Sequence, residues 1–211
     1  MSKILDNPRG KNLQAVLLGE ATVGKTSLVS KLIKDTFTEE TSATIGASFS
    51  CTTFNNIKYN FWDTAGQERY LSLVPMYYRK GDIIFLVFDT SRLSTIDRLV
   101  HYLKKIREDL VSSNYEVIVV GTKTDLSTCS IEYINELLEE KLGEFMDIIG
   151  DSIDCIYVSS KNGTNFDKLL ERLKEKGNIL QGINVTQESD KQIVSLVAND
   201  GYVNKLSCGY C

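Results

Sequence analysis

The chain has 211 residues, 42% hydrophobic and 25% charged, with a formal net charge of −4 at neutral pH. This composition is that of an ordinary globular protein, and it excludes the collagen-like and disordered classes. The length fits one α/β domain followed by a tail. The acidic balance argues against a nucleic-acid binder, because such proteins usually present a basic face to phosphates.

The amino-terminal segment MSKILDNPRG has no apolar core, so we expect no secretory signal peptide there. The longest apolar run, residues 83–88, is far shorter than the ~20 residues that a membrane-spanning helix needs. We therefore expect a cytosolic chain whose five cysteines are reduced. Cys51, Cys129 and Cys155 are expected to pack in the core.

Short apolar runs along the chain predict strands. Residues 83–88 and 117–120 are continuous apolar runs that fit parallel strands buried on both faces, and residues 13–18 and 153–158 are predicted as the first and the last strand. Two further runs, 47–54 and 57–62, flank Asn55-Asn56, a turn between antiparallel strands. The sequence thus predicts six strands, most of them parallel.

Apolar residues at helical spacing predict helices between these strands. The predicted helices cover residues 25–34, 95–111, 131–149 and 166–176. Gly143 is placed to interrupt the third. Strands that alternate with helices imply right-handed crossovers. The predicted α/β fold is a mostly parallel six-stranded sheet flanked by helices over residues 12–176, followed by a flexible tail over residues 177–211.

A phosphate-binding loop lies between the first strand and the first helix. Residues 19–26 read GEATVGKT, the GxxxxGK[ST] pattern of P-loop NTPases. Its glycines let successive amides point at phosphate oxygens, next to the positive end of the helix dipole. Lys25 is expected to reach the β- and γ-phosphates, and Thr26 to ligate Mg²⁺. The residues expected around the phosphates are Gly19, Ala21, Thr22, Val23, Gly24, Lys25, Thr26 and Ser27.

The third strand ends in a second motif, WDTAGQE at residues 62–68. A carboxylate at a strand's end, Asp63, can hold the Mg²⁺ shell, and the Gly66 amide can meet the γ-phosphate. The motif resembles the signature of the Ras superfamily of small GTPases. The resemblance implies that Gln67 is the catalytic residue that orients the attacking water. It also implies that Thr44 closes over Mg²⁺ and that Phe37 packs on the guanine.

Two later loops resemble the elements by which this superfamily selects guanine. Residues 121–125, GTKTD, resemble the NKxD element, in which Asp125 accepts the guanine N1–H and 2-amino groups and Lys123 lies along the base. Ser159, Ser160 and Lys161 resemble the SAK loop, whose second residue meets the guanine O6. The departure is Thr122, which stands in place of Asn. We expect the loss of one side-chain hydrogen bond to cost ~1 kcal/mol and to speed nucleotide release.

Within the superfamily, the chain is most similar to the Rab branch. The segments TIGASF (44–49), WDTAGQERY (62–70) and SLVPMYYR (72–79) resemble the Rab switch regions, and the combination resembles the early-endosomal Rab subgroup. The resemblance implies that Phe49, Trp62 and Tyr77 form a triad read by effectors; core packing is the alternative for each. It also implies prenylation of Cys211 and of Cys208, although the ending CGYC departs from the usual Rab endings.

The expected function is a GTP/GDP switch of endosomal or other vesicle traffic that uses Mg²⁺ and hydrolyses GTP slowly. No arginine occupies an obvious in-cis finger position, so we expect a GTPase-activating protein to assist hydrolysis and an exchange factor to assist reloading. Effectors and a prenyl-dependent escort factor are the other expected partners of this monomer. The expected location is the cytoplasmic face of vesicle membranes, with a cytosolic pool. A GTP-binding scaffold with little hydrolysis is the alternative, and an ATPase or P-loop kinase leaves Asp125 and the SSK loop unexplained.

Overall fold

The computed structural model describes residues 12–39, 42–110, 114–150 and 152–181. Within these ranges six strands form one sheet in the order β2-β3-β1-β4-β5-β6. The strands are β1 Leu13–Leu18, β2 Ala47–Phe54, β3 Ile57–Thr64, β4 Ile83–Asp89, β5 Glu116–Thr122 and β6 Cys155–Tyr157. Only β2 and β3 pair antiparallel among these strands. The predicted fold class is therefore confirmed.

Helices connect the strands on both faces of the sheet. They are α1 Lys25–Lys34, α2 Val74–Tyr78, α3 Ile96–Asp109, α4 Ile131–Leu142, α5 Met146–Ile149 and α6 Phe166–Leu180. A short 3₁₀ turn, Gly143–Phe145, separates α4 from α5, so the predicted helix over 131–149 is interrupted at Gly143 as expected. No helix within the described ranges is long and apolar enough to cross a membrane.

Two hydrophobic cores lie on opposite faces of the sheet, and the central strand β4 supplies both. Its alternate residues Ile84, Leu86 and Phe88 pack in the core beneath α2, α3 and α4. Its other residues, including Ile83 and Phe85, pack in the core beneath α1 and α6. A strand that is buried on both faces has no polar side to show, which is why its sequence is continuously apolar.

The functional loops gather at one edge of the sheet. The loops after β1, β3, β5 and β6 carry the phosphate-loop, WDTAGQE, GTKTD and SSK motifs. All four strands run parallel, so their carboxyl ends share this edge. In open α/β sheets this edge is where ligands bind.

Two expectations from the sequence were wrong. Cys51 and Cys129 are exposed rather than packed in the core, whereas Cys155 is half-buried and packs against the core as expected. The last helix runs to Leu180 rather than ending at residue 176. Gly177 lies inside it and is buried, because this helix passes directly over the Tyr59 hydroxyl group. The division into a domain and a tail stays a prediction, since residues from 182 onward lie outside the described ranges.

Replacing Gly177 by alanine is expected to destabilise the fold by about 1–3 kcal/mol, as overpacked core sites usually do. A Cβ at this position would stand 2.1 Å from the Tyr59 hydroxyl oxygen and 3.4 Å from a Leu13 methyl carbon. The measurement is urea unfolding. Gly143→Ala is the matched control, because a Cβ there meets no described atom within 4 Å. Equal stability of the two variants would contradict the packing argument.

Candidate nucleotide-binding site

A cavity of about 550 Å³ opens at the carboxyl edge of the sheet. The predicted site residues that line it are Ala21, Thr22, Gly24, Lys25, Thr26, Ser27, Phe37, Thr44, Gly66, Gln67, Thr122, Lys123, Asp125, Ser160 and Lys161. Four other predicted residues, Gly19, Val23, Asp63 and Ser159, are buried and contact residues of this lining. Residues from five separate loops thus share one cavity.

The phosphate loop turns tightly through two residues in the left-handed region, Thr22 with φ 64° and Gly24 with φ 95°. The Lys25 side chain is buried beneath the loop and donates to the Gly19 carbonyl at 2.9 Å and the Glu20 carbonyl at 2.7 Å. Burial lowers the pKa of Lys25 to about 8, although Asp63 and Glu20 oppose the shift. An anion in the cavity would favour the charged ammonium group and raise this pKa again.

The loop after β3 packs directly on the phosphate loop at Gly66. A Cβ on Gly66 would stand 2.3 Å from the Glu20 carbonyl carbon and 2.4 Å from the Ala21 nitrogen. Only glycine fits so close to another backbone. Gln67 follows Gly66 in the cavity lining, and its Oε1 accepts from Arg69 Nε at 2.8 Å.

Asp63 joins three hydroxyl groups around one carboxylate oxygen. Its Oδ2 accepts from Thr26 at 2.6 Å and from Thr44 and Ser48 at 3.4 Å each. Its Oδ1 is buried and finds no hydrogen-bond partner among the described residues. Burial raises the pKa of Asp63, although the neighbouring hydroxyls and Lys25 oppose it. Hydroxyl and carboxylate oxygens beside an unpaired buried oxygen are a donor set that fits a hard divalent cation.

The end of the cavity that is predicted to contact the base is formed by the loops after β5 and β6. Asp125 Oδ1 accepts from Ser159 Oγ at 2.5 Å, which fixes the carboxylate while leaving Oδ2 for a ligand. Lys123 has a left-handed backbone (φ 59°), and its ammonium group lies 2.7 Å from the buried Asp89 carboxylate. Lys161 forms an ion pair with Glu39 at 2.8 Å, joining the SSK loop to the segment after Phe37.

Thr122 is buried, and its hydroxyl group connects the GTKTD segment to the phosphate loop. Its hydroxyl oxygen lies 2.5 Å from the Val23 carbonyl and 2.9 Å from the Phe88 carbonyl. A hydroxyl has one proton, so it cannot donate fully to both carbonyls at once, whereas an asparagine amide has two N–H groups.

Changing Thr122 to asparagine is therefore expected to slow GDP release by up to about 5-fold, which corresponds to ~1 kcal/mol. Thr122→Val, which keeps the shape but removes the donor, should accelerate release instead. Release of a fluorescent GDP analogue measures both. Faster release from the asparagine variant than from the natural chain would contradict this account.

The three predicted effector residues form a continuous aromatic cluster beside the cavity. The ring centroids of Phe49 and Trp62 are 5.0 Å apart, and those of Trp62 and Tyr77 are 5.5 Å apart. Phe49 is 53% exposed, whereas the other two are half-buried. Trp62 donates its indole N–H to Gln14 at 2.9 Å. The cluster thus presents an aromatic surface and also packs against the core.

Sequence reasoning missed several residues in and near the cavity, among them Asp89 and Arg92. Asp89, the last residue of β4, is buried against Lys123, and Arg92 contacts the phosphate loop. Asp89 could have been noticed as an acid at a strand's carboxyl end, but nothing in the sequence singles out Arg92. The predicted lipidation sites Cys208 and Cys211 lie outside the described residues.

Comparison with known proteins gives consistent matches. A sequence model of the Ras family matches residues 14–178. The human Ras-related protein Rab-22A is 34% identical over 172 residues, which cover 79% of this chain and 84% of that protein. The rat Ras-related protein Rab-31 is 34% identical over 170 residues, which cover 79% of this chain and 83% of that protein.

Proposed function

Because the chain belongs to the Ras family of small GTPases, we propose that it is a Rab-type switch of endosomal vesicle traffic. In its GTP-bound form, it binds effectors on a membrane. Hydrolysis of GTP to GDP then releases them. Magnesium-dependent closure of the loops around Thr44 and Gly66 would distinguish the two states.

One observation carries this proposal: the register of β2 and β3 couples the cavity to the aromatic cluster. Ser48 pairs with Asp63, and the next pair along is Phe49 with Trp62. Successive side chains on a strand point to opposite faces. The oxygen cluster and the aromatic cluster therefore lie back to back on the same two strands. A structural change at Asp63 would therefore alter the aromatic cluster, which is the surface that a partner would contact.

Six of the predicted site residues would have distinct roles in this cycle. Lys25 would compensate the charge of the β- and γ-phosphates, and the Gly66 amide would donate to the γ-phosphate. Thr26, Thr44 and Asp63 would hold Mg²⁺, Asp63 through water. Bound Mg²⁺ neutralises charge that develops on the phosphates. Gln67, the residue after Gly66, would orient the attacking water.

The intrinsic reaction is expected to be slow, since phosphoryl transfer depends on charges placed around the γ-phosphate. An arginine from a partner typically increases the rate of hydrolysis about 10³–10⁵-fold, which lowers the activation free energy by ~4–7 kcal/mol. We therefore propose that a GTPase-activating protein completes this site and that an exchange factor opens it for reloading.

The proposal includes lipid attachment through Cys211 and Cys208. One lipid chain gives only reversible membrane binding, whereas two give a stable hold. Two prenyl groups would thus keep the protein on vesicle membranes, and an escort factor would maintain the cytosolic pool. Intact-mass measurement on protein from its native cells should show added isoprenoid. An unmodified mass would reject this part of the proposal.

The switch is tested by comparing the partners that GTP-loaded and GDP-loaded protein recover from a lysate. We expect a set that binds only the GTP-loaded form and that Phe49→Ala removes. Tyr133→Ala is the matched control, because Tyr133 is 54% exposed on α4, outside the aromatic cluster. Identical partner sets for the two nucleotides would overturn the proposal.

A further inference from the structure

Arg92 reaches from the turn after β4 to the outer rim of the phosphate loop. Its Nη2 lies 3.2 Å from the Ala21 carbonyl oxygen and 3.2 Å from the Thr22 hydroxyl. The same nitrogen lies 3.4 Å from a Glu20 carboxylate oxygen. One guanidinium group thus contacts three consecutive residues of the loop, seventy positions away in the chain.

The backbone of Arg92 is firmly held. Its N–H donates to the Asp89 carbonyl at 3.0 Å. Its own carbonyl accepts from the Thr95 hydroxyl at 2.8 Å, and Thr95 is fully buried. An exposed ion pair by itself contributes little to stability. Here, however, the side chain starts from a fixed turn, and two of its three contacts are to a carbonyl and a hydroxyl group.

The contacted segment is strained and functionally placed. Thr22 is a β-branched residue at φ 64°, a region that such residues rarely occupy. The Glu20–Ala21 peptide is also the surface on which Gly66 packs, with no room for a Cβ. Arg92 and Gly66 therefore contact the same short stretch of the loop.

We propose that Arg92 is a positioning residue for the triphosphate state. It fixes the Glu20–Ala21 peptide so that Gly66 can close over the γ-phosphate. Arg92 is not among the described residues that line the cavity, so it acts through the loop rather than on the nucleotide. GDP has no γ-phosphate and depends less on this closure. The inference rests on the proposed two-state cycle, in which Gly66 meets the γ-phosphate.

The test is the release rate of two nucleotides, GDP and a non-hydrolysable GTP analogue, from the full chain with Mg²⁺. Arg92→Ala should speed release of the analogue about 3–10-fold and release of GDP less than 2-fold. The rate of single-turnover hydrolysis should fall by about 3–10-fold. Arg92→Lys should fall between, because lysine keeps the positive charge but presents it as a more strongly hydrated point charge. Thermal unfolding verifies that each variant is folded.

Arg172→Ala is the matched control, since Arg172 is also ion-paired but contacts Asp154 and Glu175, outside the cavity lining. It should leave both release rates unchanged. Equal acceleration of the two nucleotides by Arg92→Ala, or no acceleration, would overturn the inference. Because release is measured without turnover, the result is readable even if the natural chain hydrolyses no GTP, a result that would count against the proposed cycle instead.

Discussion

Replacing Asp125 by asparagine is expected to weaken GDP binding by about 10²–10⁴-fold. The carboxylate would accept two N–H groups of guanine, and a hydrogen bond to a charged group contributes ~1.5–3 kcal/mol. Ser159 holds Asp125 Oδ1 at 2.5 Å, so the carboxylate is already oriented before a ligand binds. The natural chain therefore loses little side-chain freedom on binding. An amide offers only one acceptor atom, and its NH₂ group would face the donors of the base. Equilibrium titration with fluorescent GDP measures the change.

The same variant gives a second readout that separates base reading from general damage. Xanthine carries an oxygen where guanine carries the 2-amino group, so an asparagine NH₂ can donate to it. Asp125→Asn should therefore bind xanthosine diphosphate more tightly than GDP, reversing the preference of the natural chain. Asp167→Asn, an exposed acid in the first turn of α6, is the control and should change neither affinity. Unchanged GDP affinity in Asp125→Asn would refute the assigned role.

Replacing Gln67 by leucine is expected to reduce single-turnover GTP hydrolysis by about 10–100-fold, while GTP and GDP affinities stay within about 2-fold. Misplacing a reacting group by ~1 Å can cost 10²-fold, and leucine cannot hold the attacking water at all. Gln67 lines the cavity next to Gly66 and is tethered by Arg69. Nucleotide binding should survive, because the phosphate contacts would come from Lys25 and loop amides. Phosphate release after rapid mixing with Mg²⁺ gives the rate.

The matched control for Gln67 is the same exchange at Gln14, whose side chain accepts from Trp62 and does not line the cavity. Gln14→Leu should leave hydrolysis unchanged. If Gln67→Leu hydrolyses GTP at the natural rate, the water-orienting role is wrong, and the alternative of a GTP-binding scaffold with little hydrolysis gains support.

Local patterns predicted most of the fold because each element carries its own periodicity. The bounds of β1, α1 and β2 match the sequence prediction to the residue. The end of α6 was missed because glycine usually ends a helix. At Gly177, however, the helix continues, and its close approach to Tyr59 requires a glycine. That requirement comes from a strand more than a hundred residues away, and no local pattern contains it.

The candidate site divides in the same way. Motifs with fixed spacing, such as the phosphate loop, placed Lys25 and Thr26 correctly at the start of a helix. The contact of Arg92 with Thr22 joins two loops, and its residues follow no spacing rule. The two carbonyl groups near the Thr122 hydroxyl could not be predicted either, since the sequence showed only that threonine stands in place of asparagine. The side chain's role depends on which carbonyls the fold brings within reach.

The central claim is that the γ-phosphate orders the two loops that carry Thr44 and Gly66. Amide hydrogen exchange on protein loaded with GDP or with a non-hydrolysable GTP analogue, both with Mg²⁺, tests it most directly. We expect slower exchange over residues 42–49 and 66–78 with the analogue, and equal exchange over β4, β5 and α6. Equal exchange in all segments for both nucleotides would contradict it.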